Sequence, residues 1–242
     1  MTADSSLDLV RAYWTAQLGF DPDLANGVLV ARPEGTLRGY HGVYVFRHGF
    51  SCIVSPPAAW RAPLRAALAG RTPDGAFDVD TLLAVLGAAA ERAVGPSWIG
   101  CADASDLRPV RAGAARQLEG RDRPALLALA EACGAADWEH SAIDPARPPI
   151  FGAFEGPALA AAASYEPWGE RLRAVGVVTH PARRRRGYGR AVAAAATAHG
   201  IEDGRVMLWQ TLEANAPSMA IARALGYQPY ARTIAVRLRG GG

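Results

Sequence analysis

The fifteen residues VVTHPARRRRGYGRA, at 177–191, constrain the fold more than any other stretch of the chain. Val177, Val178 and Thr179 are β-formers, Pro181 interrupts the strand, and Arg183 to Arg186 place four cations in a row. Gly187 and Gly189 then flank Tyr188 and open a run of small residues, AVAAAATA, that reads as a helix. Glycines let a backbone turn sharply and let a ligand approach without a Cβ in the way, so several amide N–H groups can face one anion. A helix starting there adds its own unbonded N–H groups and the positive end of its dipole. Each guanidinium can grip a phosphate through two parallel hydrogen bonds. Strand, glycine loop and helix thus make a phosphate-site layout, while the loop alone leaves a solvated basic turn and a nucleic-acid contact open. A dinucleotide fingerprint would need a third glycine where Val192 stands.

Length and charge narrow the choice. A chain of 242 residues, half of them hydrophobic, can bury one large or two modest cores. A net charge of +3 is too small to argue for nucleic acid by itself. All the basic side chains are arginine, so lysine chemistry of the Schiff-base or P-loop kind is excluded. Cys52, Cys101 and Cys133 are far apart, with no metal-ligand spacing, so neither a disulfide framework nor a metal site is expected. No leader pattern and no apolar run of the roughly 18–20 residues that a membrane span needs can be read. The expectation is a soluble, cytoplasmic protein with no membrane partner.

The hydrophobic pattern divides the chain near residue 111. Residues 1–111 read as a small α/β unit: a helix over 7–19, strands in GVLVAR and YHGVYVFRHGFSCIVS with a turn at His48-Gly49, helices over 60–70 and 79–93, and a strand in PSWIGCAD. Residues 112–242 read as a second unit. A short strand precedes Asp122, expected to cap a helix from Pro124. A loop containing DWEHS leads to strands IFGAFEG, PALAAAASYE and RAVGVVTH, then the glycine loop and a helix over 187–199. RVMLWQTL reads as a buried strand, APSMAIARAL as a helix with Asn215 at its N-cap and Gly226 at its stop, and ARTIAVRLR as the last strand.

VVTHPARRRRGYGRA, together with TLEANAPSMAIARALGY further on, resembles the GCN5-related N-acetyltransferase (GNAT) family over about residues 112–242. The resemblance implies an α/β fold with a mixed, partly open sheet flanked by helices, here with an N-terminal α/β extension. That extension is open to three readings: a degenerate half of a tandem arrangement, an acceptor-binding module or a homodimer-forming one. The resemblance also implies acetyl-CoA as co-substrate and no metal. Val177, Val178 and Thr179 would present backbone groups to the pantetheine arm and acetyl carbonyl. Arg184, Arg185, Arg186, Gly187, Tyr188, Gly189 and Arg190 would wrap the pyrophosphate. Asn215 would meet the pantetheine or cap its helix, with Ser218 one turn on.

The match departs from the family at two points. Many members carry a tyrosine seven residues after the asparagine, as acid for the departing thiolate; here that position is Ala222. A thiol with pKa near 8.5 leaves as thiolate at pH 7 for about 2 kcal/mol, and general acid help is typically worth about 10²- to 10⁴-fold. Losing the tyrosine slows the step without forbidding it, and Ser218, Tyr188, Tyr227 or water are the substitutes. No glutamate stands on the strand before the loop, where some relatives keep a base. The candidates are then Glu139 as base, with Trp138, Glu139 and His140 as the acceptor side. A plain solvated helix end with Trp138 packed inward is the alternative. The expected activity is transfer of acetyl from CoA to a small-molecule or peptide amine by direct attack in a ternary complex. A non-catalytic acyl-CoA sensor is the other reading.

Overall fold

The computed structural model describes residues 5–109 and 115–240. The boundary expected between 111 and 112 lies outside the described residues. The chain forms two compact units. Unit 1 holds residues up to Ile99 together with Thr211–Ala216 and the segment from Pro229 onward. Unit 2 holds Gly100–Gln210 and Pro217–Gln228.

Unit 1 opens with α1 (Ser6–Leu18), whose N-cap Ser5 accepts from the Asp8 N–H while the Asp8 side chain accepts from the Ser5 N–H. Strands β1 (Gly27–Val30), β2 (Gly42–His48) and β3 (Ser51–Ser55) follow. Helices α2 (Ala58–Leu68), α3 (Pro73–Ala76) and α4 (Val79–Leu86) precede β4 (Ala90–Ala102). The sheet runs β1-β3-β2-β10, with β10 (Gln228–Leu238) antiparallel to β2 from Arg232 against Arg47 to Arg237 against Gly42. Alternation along β2 assigns its two faces. Val43 and Val45 join Leu64, Leu68, Leu82 and Leu86 of α2 and α4, while Tyr44 and Phe46 meet Trp14 of α1. The helix expected over 79–93 stops at Leu86. Gly87 takes a positive φ of 52° as its C-cap, and the residues from Ala90 on extend into β4.

Unit 2 holds β5 (Ala115–Gln117), α5 (Arg123–His140), β6 (Ile150–Glu155), β7 (Ala158–Trp168), β8 (Leu172–Thr179), α6 (Tyr188–Glu202), β9 (Val206–Leu212) and α7 (Ala216–Leu225), the last two sharing their ends with unit 1. Its sheet runs β9-β8-β7-β6-β5, antiparallel except for β8 with β9. The two faces of β7 again divide by alternation: Leu159 and Ala162 pack with Leu126 and Leu129 of α5, Ala161 and Ala163 with Val192 and Ala196 of α6. Each buried leucine there contributes about 1.5–3 kcal/mol to holding its helix on the sheet. Among the described residues no helix is long and apolar enough to cross a membrane.

Two local expectations change. Asp122 does not cap α5 with its side chain. Its carboxylate instead accepts both guanidinium nitrogens of Arg116 at 2.7 Å and the Glu119 N–H at 2.8 Å. A bidentate arginine is a stronger partner than a helix N–H. The segment DWEHS, expected as loop, is helical: the backbone breaks at Gly134 (φ 78°, ψ 161°) and resumes as a final turn and a half of α5.

Candidate functional site

The parallel register between β8 and β9 covers Leu172–Ala174 against Val206–Leu208 and ends there. Val175–Thr179 therefore keep β7 as partner on one edge only, with Ala163 opposite Val177, Ala162 opposite Val178 and Ala161 opposite Thr179. Two parallel strands that part at their C-terminal ends open a crevice lined by main chain, where ligands of open α/β sheets collect. Val178 is buried against the α5 face and Val177 is half-buried against the α6 face. At Gly176, just before them, the residue that follows α5 lies directly on the strand: a Cβ there would stand 1.7 Å from the Ser141 carbonyl oxygen.

Beyond Thr179 the chain turns through Pro181–Arg183, where the His180 ring accepts the Ala182 N–H at 3.2 Å. His180 is thus a turn cap. Gly187 is the N-cap of α6 in the left-handed region (φ 85°), and a Cβ built there meets nothing within 4 Å. The helix start consequently faces open space, as an anion cradle requires. Gly189 differs: a Cβ there would lie 2.6 Å from Thr179 Oγ1, so its absence lets the first turn of α6 sit directly on the end of β8. Arg185 also adopts a positive φ, 64°, in this tight turn.

The arginines of the loop carry carboxylate partners that the sequence did not announce. Glu155, the last residue of β6, accepts from Arg183 at 2.8 Å, from Arg186 at 2.7 Å and from the Tyr188 hydroxyl at 3.0 Å. Arg183, then Tyr188 and Arg186, hold the Glu155 carboxyl below its ordinary pKa, and the same carboxylate pushes the Tyr188 phenol up. Arg184 reaches Asp137 of α5 at 2.6 Å and the Thr179 carbonyl at 3.3 Å. Among the described residues Arg185 and Arg190 form no ion pair, and both are exposed. The only sequence hint is acidity beside a turn, in FEGP, and the separation of 28 positions from Glu155 to Arg183 hides the pairing.

The DWEHS segment does come to this loop through Asp137. Its neighbours divide. Trp138 packs against the cluster of Leu126, Leu129 and Val178; Glu139 is exposed; His140 Nδ1 donates to the Ala136 carbonyl at 2.5 Å. On α7, Ser218 accepts the indole N–H of Trp209 at 3.0 Å. Trp209 is a core residue, 1% exposed, edge-on to Tyr227. Tyr227 is 3% exposed, bonded to the Thr197 hydroxyl at 2.9 Å, and its ionisation is pushed up by burial, so it is removed as a proton donor to a ligand. Ala222 is fully buried. Asn215 belongs to unit 1 and directly precedes α7.

The sequence profile described as the acetyltransferase (GNAT) family matches residues 115–227, just under half of the chain. No curated protein matches in sequence. Similar solved structures include a protein described as an acetyltransferase of the GNAT family from Novosphingobium aromaticivorans, 24% identical over 61% of this chain and 65% of that one, with a TM-score of 0.48. The chain therefore spans less than two thirds of that protein's length. A GCN5-related N-acetyltransferase from Kribbella flavida is 21% identical over 74% of this chain and 77% of its own, with a TM-score of 0.49. With the splayed strands, the glycine turn and the helix all inside the matched segment, residues 115–227 are an acetyltransferase domain of the GNAT family.

Proposed function

We propose that this chain is an acetyl-CoA-dependent N-acetyltransferase whose acceptor is an amine on a small molecule or a peptide. The observation that carries the reading is the open, left-handed Gly187 at the start of α6, with Arg184, Arg185, Arg186 and Arg190 beside it. A turn that leaves main-chain N–H groups facing outward and surrounds them with guanidinium groups fits a diphosphate. Tyr188 and Gly189 complete that wall, and Val177 and Thr179 offer main chain along the parted edge of β8 to the pantetheine arm, while alternation turns the main chain of Val178 to Ala162 of β7. The bound carrier supplies the thioester; the chain supplies orientation, a donor for the carbonyl oxygen and proton transfer.

In this reading the donor to the developing oxyanion is a main-chain N–H of Val177 or Thr179, because the His180 N–H donates to Ala160 of β7 and alternation turns the Val178 N–H to Ala162 in the same way, away from the open edge. Glu139, exposed at the end of α5, accepts the proton of the incoming amine directly or through water. Trp138 and His140 border the acceptor side. Ser218, already accepting the Trp209 N–H, acts as donor toward the departing sulfur, the task Ala222 cannot perform. The buried alanine also favours one second reading, an acyl-CoA sensor that keeps the cradle without catalysis.

A thiol-release assay across classes of amine separates the two. Release of CoA with at least one class supports catalysis. Protection against thermal unfolding by CoA with no release by any amine supports the sensor, and neither protection nor release overturns both.

A further inference from the structure

A cavity lies at the end of the unit 2 sheet away from the glycine turn. It has a volume of about 610 Å³ and is bordered by the loop after α5, the end of β7, the start of β8 and the residues after α6. Arg173, on its wall, stands six residues before Thr179 on β8, about 20 Å from the glycine turn at a strand's rise per residue. Arg205 lies just beyond α6, whose opposite end carries Gly187. The two places share a strand and a helix but no side chain.

The lining holds three arginines, Arg147, Arg173 and Arg205, and three carboxylates, Asp144, Glu166 and Asp203, but the charges are not paired evenly. Arg173 Nη1 donates to the main-chain carbonyls of Leu172 at 2.7 Å and Glu170 at 3.2 Å. Arg205 Nη1 donates to the same Glu170 carbonyl at 2.8 Å. Two guanidinium groups thus converge on one neutral oxygen, their nitrogens separated by less than twice the longer of those distances. Burial first, and then the charge of Arg205, lower the pKa of Arg173. Of the lining carboxylates, Asp144 pairs with Arg147 at 3.2 Å, Glu166 accepts the Trp168 indole N–H at 3.1 Å, and Asp203, within 3.7 Å of His199, acts on Arg173 through space without forming an ion pair with it. Among the described residues Arg173 and Arg205 form no ion pair. A neutral carbonyl offset against two cations in a half-buried cavity is an incomplete arrangement, and forked guanidinium donors match the geometry of an oxyanion.

We propose that this cavity is a binding site for a small oxyanion, a carboxylate or a phosphate group, held between Arg173 and Arg205 and separate from the acyl-carrier site. The proposal does not depend on the acetyltransferase reading. It is tested by isothermal titration of inorganic phosphate and, in parallel, of malonate into the wild-type chain and into R205Q, R173Q and G187E, each checked for folding by circular dichroism. The expected result is saturable binding of at least one of the two anions, unchanged in G187E and weakened about tenfold or more in R205Q, since each charge-assisted hydrogen bond carries about that factor. The anion bound more tightly tells a phosphate-bearing from a carboxylate ligand. R205Q carries the test even if the half-buried R173Q fails to fold. Absence of saturable binding by both anions overturns the proposal. So does binding kept in R205Q but lost in G187E, which would place the anion at the start of α6.

Discussion

Gly187 offers a substitution pair that separates backbone strain from loss of the anion site. With φ at 85° and open space around its missing Cβ, Gly187→Ala meets no steric contact and pays only the left-handed penalty of a Cβ-bearing residue, about 1–2 kcal/mol. For a chain of this size that lowers Tm by roughly 2–8 °C. Gly187→Glu carries the same strain, so its Tm in the absence of ligand should fall by a similar amount. Its carboxylate, however, enters the space that the helix N–H groups face and offers Arg185, which forms no ion pair among the described residues, an internal partner for both of its forked donors. Forfeiting two charge-assisted hydrogen bonds of about 1.5–3 kcal/mol each weakens CoA binding by about 10² to 10⁴-fold or more. Thermal unfolding without ligand and calorimetric titration with CoA measure the two effects independently. If the glutamate variant binds CoA within threefold of the alanine variant, the glycine turn is not where the diphosphate sits, and the reasoning from open amides fails.

Other consequences follow from single contacts. Gly176→Ala puts a Cβ 1.7 Å from the Ser141 carbonyl, a backbone atom that cannot rotate away, and should cost about 3 kcal/mol or more in denaturant unfolding; a loss under 1 kcal/mol would show that α5 is not held against β8 there. The Asp122 carboxyl is held far below its ordinary pKa by Arg116 and the Glu119 N–H. A lowered folded-state pKa gives stability that is present above the unfolded value near 4 and lost as pH falls through the folded one. Tm should therefore decline more steeply below about pH 4 in the wild type than in Asp122→Asn, and parallel curves would refute the pairing. Ser218→Ala leaves the buried Trp209 N–H without its acceptor, a cost of about 1–3 kcal/mol in stability. The same variant should lower kcat for thiol release more than it raises KM; an unchanged kcat would remove Ser218 from the chemistry.

Much of unit 2 could be read from its sequence because its signals are local. β8, the glycine loop and α6 follow one another without a gap, and each is announced by residues that only that conformation favours: β-branched valines, paired glycines, then small helix formers. Trp209 is legible as part of a buried strand, whereas Tyr227 is less so. An aromatic residue just after a helix looks the same whether it lines a cleft or fills a core, and only packing shows that Tyr227 is buried. The pattern extends α4 past Leu86 because GAAAER has good helix formers, whereas the break rests on the left-handed conformation of Gly87. DWEHS reads as loop because Gly134 interrupts the pattern, although the backbone resumes its helix after it. Least legible were the partners of the arginines. Ion pairs between β6 and the glycine loop, or between α5 and that loop, are set by tertiary placement, and a single sequence has no periodicity that reports them.

Four adjacent cations in one short turn would ordinarily splay apart and sample many shapes. Glu155, by gathering Arg183, Arg186 and Tyr188 onto one carboxylate, and Asp137, by taking Arg184, fasten that turn while the protein is alone. The ordering of long, flexible side chains is thereby completed during folding and not at encounter. An incoming ligand finds a rigid receptacle whose surplus charge rests mainly on Arg185 and Arg190, so its hold should respond to ionic strength as two exposed cations would, and less steeply than the run of arginines implies.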